Sequence, residues 1–201
     1  MPPVLRQHVA ALRMLLVFTV ITGAAYPLAV TGIAQAAFPR RANGSLVTFD
    51  GRTAGSSRIG QNFDLPGAPA GPDPKWFQPR PSAAGDGGYD AAASAASNLG
   101  PNDAELIRSV TERRAAVAAF DGVRPEDVPV DALTASGSGL DPDISPAYAY
   151  QQVARVARTR HLAPAPVRAL VARHVAGRDL GFLGQETVDV VGLNRDLAAP
   201  R

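Results

Sequence analysis

The longest unbroken apolar pattern lies near the amino-terminal end. From Met14 to Phe38, MLLVFTVITGAAYPLAVTGIAQAAF, 25 residues carry no charge. As a helix this run spans about 37 Å, more than the roughly 30 Å of a hydrocarbon core. Only a helix crosses that layer with its backbone groups satisfied, and Pro27 predicts a kink in mid-span. Ala25, Ala29, Gly32 and Ala36 recur at four-residue spacing, which suits close approach of a second helix and is equally the chance pattern of an apolar low-complexity run. Arg6 and Arg13 followed by Ala34-Gln35-Ala36 also fit an exported leader with a cleavage site, but the run far exceeds the roughly 7–15 residues of a secretory apolar region. The expectation is therefore a retained anchor. Residues 1–13 form a cytoplasmic arm, 14–38 a transmembrane helix and 39–201 an extracytoplasmic domain. Arg40 and Arg41 balance Arg6 and Arg13 across the span, so orientation rests on a long domain translocating regardless of flanking charge.

Beyond the anchor the periods are shorter. Residues 45–63 predict a β-hairpin turning at Asp50-Gly51. Residues 64–101 show no period. Asn102 with Glu105 three residues on predicts a capped helix, its face marked by Leu106, Val110 and Val117 and its end by Gly122. VPVDALTAS, residues 128–136, predicts a short buried strand. Ser145 as N-cap with Pro146 in the first turn opens a second helix with Ala149, Val153, Val156 and Ala157 as its apolar stripe. A third helix is predicted over 164–176, on Val167, Leu170, Val171, His174 and Val175, capped by Gly177. Thr187–Asn194, TVDVVGLN, predicts a strand. Mixed helices and few strands give an α+β domain behind one transmembrane helix.

Composition narrows the chemistry. The chain is 46% hydrophobic and carries 19 glycines and 18 prolines, so many turns surround a modest core. Lys75 is the single lysine among 20 basic residues and the net charge is only +2, which gives no case for nucleic acid. The arginine clusters, Arg113-Arg114 and Arg155, Arg158 and Arg160, are placed on helix surfaces. With no cysteine and three scattered histidines, neither thiolate chemistry nor a metal site is expected.

The densest candidate is the loop TASGSGLDPDISP, residues 134–146. Gly137-Ser138-Gly139 lacks the third glycine of a dinucleotide fingerprint, and no Walker spacing surrounds Lys75. Ser136 and Ser138 sit at the wrong offsets for a nucleophile elbow. Asp141 and Asp143, set between prolines, fit an Asp-Pro turn or a shaped acidic lip that meets a cation or a partner protein. In WFQPRPSA, Trp76, Phe77 and Arg80 are residue types that anchor interfaces, and the aromatic pair also fits a core plug. Gln151-Gln152 fits a solvated helix face.

In order along the chain, GSLVTFDG, IGQNF, WFQPRPSA, SNLGPND, VPVDALTASGSGLDPDISP, QVARVA and GFLGQETVDVVGLN resemble the C subunit of the Kdp-type potassium-transporting ATPase. Asp143 departs from that family's usual His, and Asp90 from its Asn. The resemblance implies a non-catalytic, single-pass subunit of a high-affinity potassium uptake complex in the cell membrane. Its partners would be a channel-like translocating subunit, a P-type ATPase subunit and a small membrane peptide. It also implies a proposed catalytic-chaperone role that raises the ATPase subunit's affinity for ATP, with Gln152 as the nucleotide-contact candidate. Trp76, Phe77, Arg80, Ser136, Ser138, Asp141 and Asp143 are the candidates for the partner or ion-entrance surface. The alternatives are an anchored or secreted hydrolase using Ser138, or a solute-binding module.

Overall fold

A computed structural model describes residues 2–49, 51–67 and 71–199. The chain divides into two compact units, one ending at Leu46 and one running from Val47 onward.

In the first unit, α1 (Pro3–Val20), a π-helical turn (Ile21–Ala25) and α2 (Tyr26–Ala37) follow without interruption. Pro27 explains the π turn. A proline donates no hydrogen bond and its ring crowds the preceding turn, and a widened turn relieves both. Accordingly the Tyr26 N–H reaches back five residues to the Ile21 carbonyl. Thr22 and Thr31 donate their hydroxyls to the carbonyls of Phe18 and Pro27, at 2.7 and 2.8 Å. Neither hydroxyl is therefore left for an apolar solvent to accommodate. The stretch Pro3–Ala37 is long and apolar enough to cross a membrane, with a mean hydropathy of 1.8 in its best window. It begins well before the apolar run: Pro3 in the first turn starts a helix that carries Arg6 and Arg13 along with it. α3 (Pro39–Ala42) follows, and the side-chain amides of Gln35 and Asn43 pair with each other at 3.0 and 3.2 Å.

The expected hairpin, β1 (Leu46–Phe49) against β2 (Arg52–Ser56), starts at the last residue of the first unit and runs into the second. Gly51 has φ +73°, as the turn requires. Asp50, its expected partner there, lies outside the described residues. α4 (Ala104–Asp121) is capped by Asp103, whose carboxylate accepts the Glu105 N–H, and not by Asn102. Gly122 closes it in the left-handed conformation, as expected.

Three further expectations are corrected. The strand predicted in residues 128–136 is a 3-10 turn over Val130–Ala132. Pro129 has no N–H for a ladder, and the Asp131 carboxylate accepts from the Ser145 N–H and hydroxyl at 2.7 and 2.9 Å, which pins the turn. The third helix, α6 (Pro164–His174), stops short, because Val175–Ala176 leave it as a strand, β4. Gly177 is therefore not its cap. Thr187–Asn194 is half strand: β5 covers Thr187–Asp189, and Asp189 then caps a new helix, α7 (Val190–Ala198), by accepting the Val191 N–H at 2.9 Å.

β3 (Asp143–Ile144) completes an antiparallel sheet in the order β3-β5-β4, with Asp143 opposite Asp189 and Ile144 opposite Val188. The helix α5 (Pro146–Thr159) starts as expected, with the Ser145 hydroxyl accepting the Tyr148 N–H. Its stripe of Ala149, Val153, Val156 and Ala157 packs with Val167 and Val171 of α6, Val188 of β5 and Leu193 of α7 into one core. Full burial of a side chain the size of valine or leucine contributes about 1.5–3 kcal/mol, so this helical layer over a short sheet holds the unit together.

Candidate functional site

Beneath the segment Asp73–Gln78 lies a buried polar lattice. Arg155 projects from the apolar side of α5, 1% exposed, and pairs with Asp121 at the end of α4 at 2.7 Å. Its guanidinium also donates to the carbonyls of Pro74 and Trp76 and to Gln152 Oε1, and lies over the Phe120 ring at 4.3 Å. Gln151 donates to the second Asp121 oxygen at 2.7 Å. A buried ion pair requires this many partners, since desolvation otherwise exceeds the attraction. Arg155 thus leaves the surface where its sequence neighbours placed it.

Two amides extend the lattice. Gln152, fully buried, accepts the Gln78 N–H at 2.6 Å and donates to the Gln78 carbonyl at 3.1 Å. Asn194 of α7 does the same for Phe77, at 2.9 Å each way. Each side chain acts as a piece of neighbouring strand for an extended segment that has none. The Gln152 amide is engaged at both ends, so a nucleotide meeting it would have to displace Gln78. Phe77, a candidate surface anchor, is fully buried and belongs to the core. Trp76 is half-buried, 6.2 Å from the Phe63 ring and beneath the Arg160 guanidinium at 4.8 Å.

The loop of residues 134–146 is built differently. Its backbone is stapled by distant segments: Leu140 accepts the Gly60 N–H, Ser138 accepts from the Ala95 N–H and the Ser94 hydroxyl, and Gly139 accepts the Ser82 hydroxyl, at 2.6–3.0 Å. Gly139 has φ +68°, and a Cβ there would stand 2.6 Å from the Ala95 carbonyl oxygen and 2.8 Å from the Ala84 nitrogen. Only glycine fits such an approach. Arg80 pairs with Asp141 at 2.9 Å, the other Asp141 oxygen accepts the Asp143 N–H, and Tyr89 donates its hydroxyl to the Arg80 carbonyl. Burial pushes the Tyr89 hydroxyl well above its ordinary range, with the Asp141 charge adding to the effect, so it stays protonated and donating. The Asp143 carboxyl is also raised, first by burial and then by the charges of Asp141 and Asp189.

Arg80, Val130, Asp131, Asp141, Asp143 and Glu186 are among the residues around an open recess of about 390 Å³ beside this lip. Four carboxylates line it with the guanidinium of Arg80, already paired with Asp141, and Arg58 acts on Asp143 from nearby. Three of the candidates, Arg80, Asp141 and Asp143, meet there; Ser136 and Ser138 stand with their hydroxyls 3.5 Å apart. The Ser138 hydroxyl accepts the Leu140 N–H at 3.1 Å, a turn-forming role. No histidine is a hydrogen-bond partner of either serine among the described residues, and His174 instead bonds Asp196 at 3.0 Å. Nothing there corresponds to an activated nucleophile.

Sequence reasoning missed Asp121, Arg155, Asn194 and Ser82. Arg155 carried a signal: it follows Gln152 by three residues within a stripe whose other members are apolar, so its own face is the buried one. The others bond across 34 to 117 residues of chain and have no local signature.

The arrangement defines a class: a helix-tethered α+β module whose polar chemistry holds its own backbone and shapes an acidic lip. The chain belongs to the KdpC family, the c chain of K+-transporting ATPases, which it matches over residues 8–199. A protein of Kineococcus radiotolerans named potassium-transporting ATPase KdpC subunit is 56% identical over 198 residues, covering 98% of this chain and 96% of that relative. Relatives of the same name from Sorangium cellulosum and Streptomyces avermitilis are 53% and 50% identical, over 95% and 92% of this chain and 96% and 90% of the relatives. The resemblance carried by WFQPRPSA, TASGSGLDP and GFLGQETVDVVGLN therefore holds. The chain is a subunit of a potassium-transporting ATPase rather than an enzyme by itself.

Proposed function

We propose that the chain is a single-pass accessory subunit whose apolar helix stays in the cell membrane and whose α+β unit, outside the cytoplasm, docks on companion subunits through the lip at Thr134–Pro146. The observation that carries this is the stapling of the lip: its backbone is fixed by Gly60, Ser82, Ser94 and Ala95, while Asp141 and Asp143 remain half-exposed at the recess. A surface ordered in advance loses less entropy on binding. The companions are the channel-like translocating subunit, the P-type ATPase subunit and the small membrane peptide implied by the resemblance. The lip docks at the ion entrance. An effect on the ATPase subunit's affinity for ATP travels through this docking, since the Gln152 amide is engaged by Gln78 and Arg155.

The test is copurification from membranes. Asp141→Ala is expected to lower recovery of the companion subunits, or the potassium affinity of the complex, several-fold. Wild-type recovery with wild-type potassium dependence would remove Asp141 from the interface. Sidedness has its own check. The chain has no cysteine, so Ser97→Cys at an exposed position gives a single thiol. A membrane-impermeant maleimide is expected to label it in intact cells, and labelling only after lysis would place the unit in the cytoplasm.

A further inference from the structure

Among the described residues from Val47 onward, six large apolar side chains are exposed: Leu65, Ile107, Val130, Leu180, Phe182 and Leu183. Four of them line the acidic recess or lie close in sequence to residues that do. Val130 lies on the rim of the acidic recess. Leu180, Phe182 and Leu183, at 83, 69 and 49% exposure, occupy the tip of the connection between β4 and β5, two to six residues before Gln185 and Glu186 of the same recess. Scattered exposed leucines need no explanation, whereas a cluster rimmed by charge does.

The tip is ordered. Asp179 bridges Leu183, the Asp179 carbonyl accepts the N–H groups of Phe182 and Leu183, and the Arg178 carbonyl accepts that of Gly181. Leu180 takes φ +52°, a conformation that is costly for a branched side chain. A strained residue holding an apolar side chain in water is a feature the fold does not need for its own core. β4 and β5 pair with each other at the base of the connection, and the bonds within it give the tip the shape of a knob.

We infer that the knob of Leu180, Phe182 and Leu183, with the neighbouring recess of Asp131, Asp141, Asp143 and Glu186, forms one composite contact that seats in an apolar socket of another protein subunit, flanked by a lysine or arginine that enters the recess. This deepens the docking reading above and rests on it. Charge decides between the occupants. Four carboxylates line the recess against two guanidiniums, Arg80, paired with Asp141, and Arg58, which acts on Asp143, while Arg178 and Asp179 offset each other at the tip. The excess of negative charge repels an anionic lipid surface, while a basic side chain beside an apolar socket satisfies both halves of the patch. An aromatic anchor such as Phe182 within an apolar centre and a polar rim is the usual anatomy of such a contact.

The test uses the full chain in its membrane complex. Leu180→Ser combined with Phe182→Ser is expected to leave the melting temperature unchanged, because both side chains are exposed, and to lower capture of the companion subunits at least 10-fold. Glu186→Lys is expected to lower it several-fold, with the loss deepening at low salt. A photo-crosslinking phenylalanine at position 182 is expected to join one protein subunit, at an apolar segment next to a basic residue. Capture at wild-type level by both variants, or crosslinks to lipid alone, would overturn the knob while leaving the docking reading in place. Failure of the wild-type chain to capture any ATPase subunit would overturn both.

Discussion

Gln152 and Asp141 are both polar, and both lie in segments that carry the family resemblance, yet the fold treats them in opposite ways. Around Gln152, helices α4, α5 and α7 close over the polar groups until every amide and guanidinium meets backbone or carboxylate. Around Asp141 the backbone is held just as firmly, but the carboxylates face an open recess. The difference separates two meanings of a polar motif. A lattice that is fully buried and fully paired maintains a shape. A lip that is rigid in its backbone and open at its side chains presents that shape to something else.

The contrast is broken most severely at Asp121. Asp121→Ala leaves Arg155 charged, buried and short of its carboxylate, and is expected to cost about 3–5 kcal/mol of unfolding free energy, read by urea denaturation of the detergent-solubilised chain. A loss below 1 kcal/mol, against that same expectation, would show that the lattice does not hold the fold. Next is Asn194→Ala, which orphans the N–H and carbonyl of Phe77, at about 1–3 kcal/mol for each group that finds no water. Gln152→Ala belongs to the same class, and a stable Gln152→Ala chain with weakened ATP binding in its complex would reassign that residue to the nucleotide.

Asp141→Ala sharpens the other half. Its pair with Arg80 is partly exposed, 23 and 31% at the two side chains, so the stability change is expected to stay within about 1 kcal/mol while subunit capture falls. The smallest effect is a pH dependence. The carboxyls of Asp143 and Asp189, opposite each other across β3 and β5, are both raised by burial. A native pKa above the unfolded value means that the native state holds more protons, so stability falls as pH rises from about 4, the ordinary aspartate value, through the raised native values. Melting temperature is therefore expected to decline over that window, and Asp143→Asn to flatten the decline. An unchanged slope in the variant would place the titration elsewhere.

Much of this was legible in the chain. Ser145-Pro146, the Ala149–Ala157 stripe and Gly122 fixed the bounds and faces of their helices because their signals are local. TVDVVGLN misled because its β-branched run hides a cap: Asp189 ends the strand and starts α7, and only the pairing with β3 and β4 shows where the strand stops. Pro129 and the Asp131 carboxylate turned an expected strand into a 3-10 turn for a similar reason, since the partner at Ser145 lies 14 residues away. The lip was visible as a dense motif, but its rigidity was not, because its staples come from residues 60 to 95. Arg155 was read as a surface residue from its neighbours in sequence, and Phe77 was left between an interface anchor and a core plug, the second of which the core confirms; what buries both arrives from elsewhere in the fold.

The most direct test of the central claim, an anchored docking subunit, is affinity purification of the chain from native membranes with amino-terminal sequencing of the product. The account predicts an intact amino terminus and companion ATPase subunits in the same fraction. A chain beginning after Ala36, free in solution and without companions, would contradict it.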